Sequence, residues 1–362
     1  VPETLNIGSA ETQIDRAALE AHLDSLIETL VVEPGVKRLL LIPPDITRMN
    51  SRAGDITAYL WDRLHDRVHI DILPALGTHK PMTREECVKL FGPDVPFERV
   101  LVHDWRNGLD ELGEIPAERL GELSGGRFAQ PMQVAVNKLL TTGGYDRVFS
   151  IGQVVPHEVC GMESIMGRTD SPVRRALNEA FDGFVRERCP VTFILTVIGQ
   201  GPDGLALRGL YAGDDALPFE RAAALSKEVN FDVLDRPVKR CVVYLDPEEF
   251  HSTWLGNKAI YRTRMAMADD GELIVIAPAV RMFGEDPEID RLIRKYGYRG
   301  TPHTLEALEK HPELAGNLSA AAHLIHGSSE GRFNVTYCTG EGLSGDEVRG
   351  VGYDHRDVND AQ

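Results

Sequence analysis

The chain has 362 residues, 42% hydrophobic and 26% charged, with a formal net charge of -17 at pH 7. That length predicts two domains, that composition is globular, and that field disfavours nucleic acid and anionic membranes as partners. No apolar run is long enough for a membrane span, residues 1–15 show no leader pattern, and five scattered cysteines fit reduced thiols, so a cytoplasmic protein is expected.

In chain order, 16-RAALEAHLDSLIETL-30 has helical spacing and 37-KRLLLIPP-44 predicts a buried strand that ends in the loop 43-PPDITRMNS-51. A helix from Gly54 to His65, a strand over 68–76 and the loop 77-GTHKPMT-83 follow. Thr83 and Glu86 form a capping-box pattern at the start of a helix over 83–92. Strands are predicted over 98–105 and 146–154, a helix over 172–187, and a hairpin over 190–214 around the turn 200-QGPDG-204. After Arg236 the alternation restarts: a strand over 241–247, a helix around 257–268, a strand over 271–278, helices over 286–296 and 304–325, and a strand over 333–338. Such alternation predicts two α/β domains, 1–236 and 237–362, with mainly parallel sheets. Ligands of such sheets bind at the carboxyl ends of strands.

The loops at those ends hold the candidate residues. Asp45, Thr47 and Arg48 can bind a phosphate or carboxylate through the guanidinium fork, or the Asp–Arg pair can merely shape the loop. Gly77 and Thr78 precede His79, a residue type suited to acid–base work near neutral pH. His157 reads as a second acid–base group, with Cys160 and Glu163 close in sequence. Lys258, Arg262 and Arg264 make a cationic helix start in an acidic chain and suit an anionic substrate, with Asn257 as a polar anchor beside them, or they form a basic helix face that pairs with surface acids. At 322-AHLIHGSSEGRF-333, a packed helix end is favoured over metal ligation by His323 and His326, and Ser328 and Ser329 suit an anion nest. No P-loop, GxGxxG after a strand or GxSxG elbow occurs.

Taken in order, 45-DITR-48, 77-GTHKPMTREE-86, 136-VNK-138, 157-HEVCGM-162 and 257-NKAIYRTRMA-266 resemble the nickel-dependent lactate racemase family of 2-hydroxy-acid racemases and epimerases. The resemblance implies two α/β domains with the site in a cleft between them, and a nickel pincer nucleotide built on a pyridinium ring as hydride acceptor. It implies that His79 and His157 take and return the hydroxyl proton. The Asp45–Arg48 loop would hold the cofactor phosphate, together with Thr47, Gly77 and Thr78, and Lys258 would lie near substrate and cofactor; Asn257 and Arg262, taken from composition and not from the resemblance, are expected to bind the substrate beside it.

Two departures qualify the cofactor. Gly167 stands where the family carries its covalent-attachment lysine, and no histidine occurs between His157 and His251 to serve as the nickel ligand. The expectation is therefore a noncovalently held nucleotide with its metal ligands unassigned, with another cofactor, or none, as the alternatives. The expected activity is inversion of the hydroxyl-bearing carbon of a lactate-like or sugar acid, with homo-oligomerisation left open. A metal-dependent hydro-lyase, a non-nickel epimerase on sugar acids and a noncatalytic sugar-acid-binding protein are the alternatives.

Overall fold

Leu39, Leu40 and Leu41 are inaccessible to solvent, so the strand they form is covered on both faces. In the computed structural model, which describes residues 5–77, 80–126, 128, 130–155, 171–231 and 234–361, the chain divides into two units, Val1–Phe231 and Asp232–Gln362.

The first unit contains β1 (Leu5–Gly8), β2 (Arg38–Ile42), β3 (His69–Ile72), β4 (Leu109–Ile115), β5 (Met132–Asn137), β6 (Arg147–Gln153), β7 (Val191–Gly201) and β8 (Gly204–Gly213). Six of them form one sheet in the order β1-β8-β7-β6-β2-β3, while β4 and β5 pair separately as antiparallel strands. From β7 to β3 the sheet is parallel, and β8 joins antiparallel through the expected hairpin. Helices Arg16–Ile27 and Ala53–Leu64 bury Leu19, Leu23 and Leu26, and Ile56, Leu60 and Leu64, at helical spacing against this sheet's core. Each such side chain contributes roughly 1.5–3 kcal/mol on burial. A Cβ at Gly54 would come within 2.2 Å of the Leu90 carbonyl, so glycine is what lets helix Ala53–Leu64 approach helix Arg84–Phe91.

In the second unit β9 (Val238–Tyr244), β10 (Met267–Ala277), β11 (Phe333–Thr339) and β12 (Asp354–Asp357) form a wholly parallel sheet in the order β12-β11-β10-β9. Its core gathers Leu273, Val275 and Tyr337 with Leu292, Ile293 and Leu324 from the helices.

Three local expectations change. Residues 98–105 form a 3-10 turn at Phe97–Arg99 and an irregular segment with a single bridge, Val100 to Ile72. The Asp104 carboxylate accepts from the Arg106 and Asn107 amides, which curls the chain out of extension. The helix expected over 304–325 is three: Thr301–Lys310, Pro312–Ala315 and Leu318–His326, broken where Pro312 and the Asn317 N-cap interrupt the pattern. The helix expected around 257–268 is instead Thr253–Gly256 and Lys258–Thr263, and β10 already begins at Met267.

Candidate functional site

β2 pairs with β3 on one side and β6 on the other, so the chain reverses its direction of sheet growth at β2. The carboxyl end of such a strand is where open α/β sheets bind ligands. The Asp45–Arg48 loop sits there.

Asp45 is buried and N-caps the 3-10 turn Ile46–Ser51, accepting from the Thr47 amide at 3.0 Å and the Thr47 hydroxyl at 2.5 Å. Thr47 is thus held by Asp45 through both of its donors. Arg48 leaves helical geometry (φ -113°, ψ 36°) and is exposed; its amide donates to the Asp45 carbonyl at 3.1 Å, while its guanidinium has no hydrogen-bond or ion-pair partner among the described residues. At the far end of the turn the buried Thr196 hydroxyl of β7 donates to the Ser51 carbonyl at 2.7 Å, fixing the turn across the sheet end. The outcome is a rigid loop that presents a guanidinium with no partner among the described residues, a geometry suited to phosphate or carboxylate.

The loop after β3 runs alongside. Leu73 donates to the Leu41 carbonyl and Ala75 to the Pro43 carbonyl, both at 2.8 Å. Gly77 has φ 57°, a left-handed conformation for which glycine carries no steric cost, and the space beside its Cα is open. Thr78 and His79 lie outside the described residues. So do His157, Cys160, Glu163 and Gly167, which follow β6 after Val155. β6, β2 and β3 are parallel neighbours, so the segments leading to all these residues leave one edge of one sheet. The helix Arg84–Phe91 has its capping box, and Glu85 and Glu86 in its first turn offset the positive field expected there.

Sequence reasoning passed over two features of this unit. A cavity of about 720 Å³ adjoins the end of β6, and the Arg174 guanidinium lies in its wall, 4.5 Å from the Phe219 ring centre. In sequence Arg174 looks like any polar position of an amphipathic helix. The other is His103, on the segment expected to be a plain strand. A second cavity, about 660 Å³, lies among helices Arg16–Ile27, Ala53–Leu64 and Arg84–Phe91 and takes in none of the candidate residues.

In the second unit Lys258 opens the helix Lys258–Thr263 and is half-buried, and Arg262 is exposed. Asn257 is fully buried: its Oδ1 accepts from the Tyr337 hydroxyl at 2.7 Å, and its Nδ2 lies 3.4 Å from His323 Nε2. Its amide therefore anchors the start of the Lys258 helix inside the core. Arg264 caps the helix Leu318–His326, donating to the carbonyls of His326 (2.7 Å) and Ser328 (2.5 Å). His323 is packed, as favoured for this helix end, against the Trp254 ring at 4.3 Å, and burial pulls its imidazole down to about 3. The expected anion nest is closed: the Ser328 hydroxyl accepts from the Glu330 amide, and the Glu330 carboxylate takes the Thr301 amide and hydroxyl. Among the described residues no group of three His, Cys, Asp or Glu is placed to hold a metal ion, and no helix is long and apolar enough to cross a membrane.

Residues 3–164 match the family model of the lactate racemase N-terminal domain. This segment belongs to the lactate racemase family. The lactate racemase domain holds Asp45, Thr47, Arg48, Gly77, Thr78, His79 and His157, whereas Asn257, Lys258 and Arg262 lie beyond it. The whole chain is similar to the crystal structure of a protein from Thermotoga maritima, with a TM-score of 0.79 and 25% identity over 98% of this chain and 94% of that one. It shares its fold with the lactate racemase apoprotein from Thermoanaerobacterium thermosaccharolyticum, with a TM-score of 0.64 and 16% identity over 94% and 86% of the two chains. No curated protein matches it.

Proposed function

We propose that this chain is an isomerase that inverts the hydroxyl-bearing carbon of a 2-hydroxy acid, either lactate-like or a sugar acid. One observation carries the reading: within a segment that matches the lactate racemase N-terminal domain, the Asp45–Arg48 loop stands at the sheet's switch point, with an arginine whose guanidinium has no partner among the described residues and suits an anion.

The α-hydrogen of a carboxylate-bearing carbinol is weakly acidic, so direct proton removal is a poor route. A bound nickel pincer nucleotide supplies the hydride acceptor that no side chain offers. The Arg48 guanidinium and the Asp45-braced turn fit the phosphate end of such a nucleotide, with Gly77 on the neighbouring loop and Thr78 next to it in sequence. Gly167 replaces the attachment lysine, so the nucleotide is held noncovalently, and its metal ligands are not assigned. In this reading His79 takes the hydroxyl proton from one face and His157 returns it on the other. Lys258 and Arg262 bind the substrate's anionic groups, with Asn257 bracing the Lys258 helix. The chain works in the cytoplasm on a small anionic acid, and its own charge of -17 keeps nucleic acid away.

Chiral chromatography of L-lactate, malate, aldonic and uronic acids after incubation with the protein tests this. The inverted form of one acid should appear. Arg48→Ala should slow inversion about tenfold or more, and Arg48→Lys should restore it only in part, because lysine lacks the bidentate fork. Unchanged configuration in every acid removes the reading, and full activity of Arg48→Ala reduces the loop to a structural turn.

A further inference from the structure

His103 is fixed by a partner that dictates which of its nitrogens carries the proton. Asn137 is nine-tenths buried, and its Oδ1 accepts from the Leu139 amide at 2.9 Å as the N-cap of helix Lys138–Thr142. The amide's orientation follows from that bond, and its Nδ2 faces His103 Nδ1 at 3.0 Å. An amide nitrogen only donates, so Nδ1 accepts and the imidazole is neutral with its proton on Nε2. Nε2 has no partner among the described residues.

The surrounding turn holds the ring still. Asp104 accepts from the Arg106 and Asn107 amides, both at 3.1 Å, and these bonds, that from Asn107 first, keep its carboxyl below the usual carboxylate range. The Lys138 amide donates to the Gly108 carbonyl at 2.9 Å, and Lys138 Nζ to the Asn107 carbonyl at 3.2 Å, tying the turn to the Asn137 cap. Arg106 extends over the Trp105 ring at 3.9 Å and is exposed, which adds positive charge. The Leu101 amide donates to the Ile72 carbonyl at 2.7 Å, so the chain reaches His103 by passing the last residue of β3. His103 therefore stands at the sheet edge from which the Asp45 and Gly77 loops emerge.

We propose that His103 is a binding residue whose Nε2–H donates to a carboxylate oxygen of the hydroxy acid, with Asn137 as the positioning residue that holds the tautomer. This rests on the hydroxy-acid reading above. It assigns a task to the buried Asn137 of the 136-VNK-138 motif, to which the proton-transfer scheme gives none.

The test uses the full chain labelled with 15N-histidine. The ring nitrogens of His103, assigned by their loss in His103→Ala, should report the Nε2–H tautomer, and the Nε2 signal should move when sodium L-lactate or sodium gluconate is added. Asn137→Asp keeps the N-cap but offers His103 an acceptor, so the proton should move to Nδ1. Both variants should weaken binding of the responsive acid about tenfold, the scale of one charge-assisted hydrogen bond, with kcat changed less than KM. A resting Nδ1–H tautomer, an Nε2 signal indifferent to both acids, or unchanged affinity in His103→Ala overturns the proposal. Weakened binding in the His103 and Asn137 variants beside full turnover in the His79 and His157 variants would instead remove the two-base reading and leave this one standing.

Discussion

His79→Ala and His157→Ala should each lower kcat for inversion by roughly 10²–10⁴-fold, the usual worth of a positioned acid or base. Inversion exchanges the faces of a flat keto-acid intermediate, and a base on one face cannot return the hydroxyl proton on the other. Loss of either imidazole therefore stops the reaction in both directions, and the double variant should be little worse than either single one. KM should change less than kcat, because the anion contacts are assigned to other residues. Measuring the unfolding midpoint alongside separates lost chemistry from lost fold. Wild-type turnover in both single variants would eliminate the two-histidine scheme.

The second large effect is on stability. His323 is buried against Trp254 and Tyr298, and that burial lowers its pKa from 6.5 to about 3. The unfolded chain then takes up a proton at this site long before the folded chain does. Stability is complete above the unfolded value, falls as the pH drops through 6.5, and keeps falling until the pH reaches the folded value. The loss should be about 2 kcal/mol by roughly pH 5 and on the order of 4 kcal/mol near pH 3. Carboxylates titrate below about pH 5, but the chain has twelve histidines, so the His323 contribution is the difference between the native chain and His323→Gln over the interval from about pH 5 to 6.5. Urea unfolding across that interval should show stability falling with acid in the native chain and a flatter profile in His323→Gln. A flat native profile, or an equal slope in the variant, would show that His323 is reached by water in the folded unit.

Features that depend on near neighbours could be read from the chain. The Thr83–Glu86 capping box, the apolar run of β2, and the turn between β7 and β8 are set within a few residues, and each is present. The loop Asp45–Arg48 was legible for the same reason: it follows a buried strand directly. What was hidden depends on distant partners. The switch point at β2 arises because β6, more than a hundred residues later, pairs with β2 on the side away from β3. Asn257 looked like a polar anchor because composition does not report burial, and only Tyr337 and His323 reveal it as a core amide. His103 lay inside an apolar-looking run whose strand never forms: the run starts in the turn Phe97–Arg99, makes a single bridge at Val100, and is curled at its end where Asp104 captures the Arg106 and Asn107 amides.

The reading as a hydride-transferring racemase or epimerase stands or falls on the fate of one hydrogen. The substrate that inverts in the chiral screen is prepared with deuterium at its hydroxyl-bearing carbon and carried through many turnovers in ordinary water. Hydride transfer keeps that atom out of contact with solvent, so the inverted product should retain the label almost completely. Exchange with water at the rate of inversion would mean that an imidazole removes the hydrogen as a proton, which contradicts the hydride step, and a product lighter by one water would make the chain a hydro-lyase.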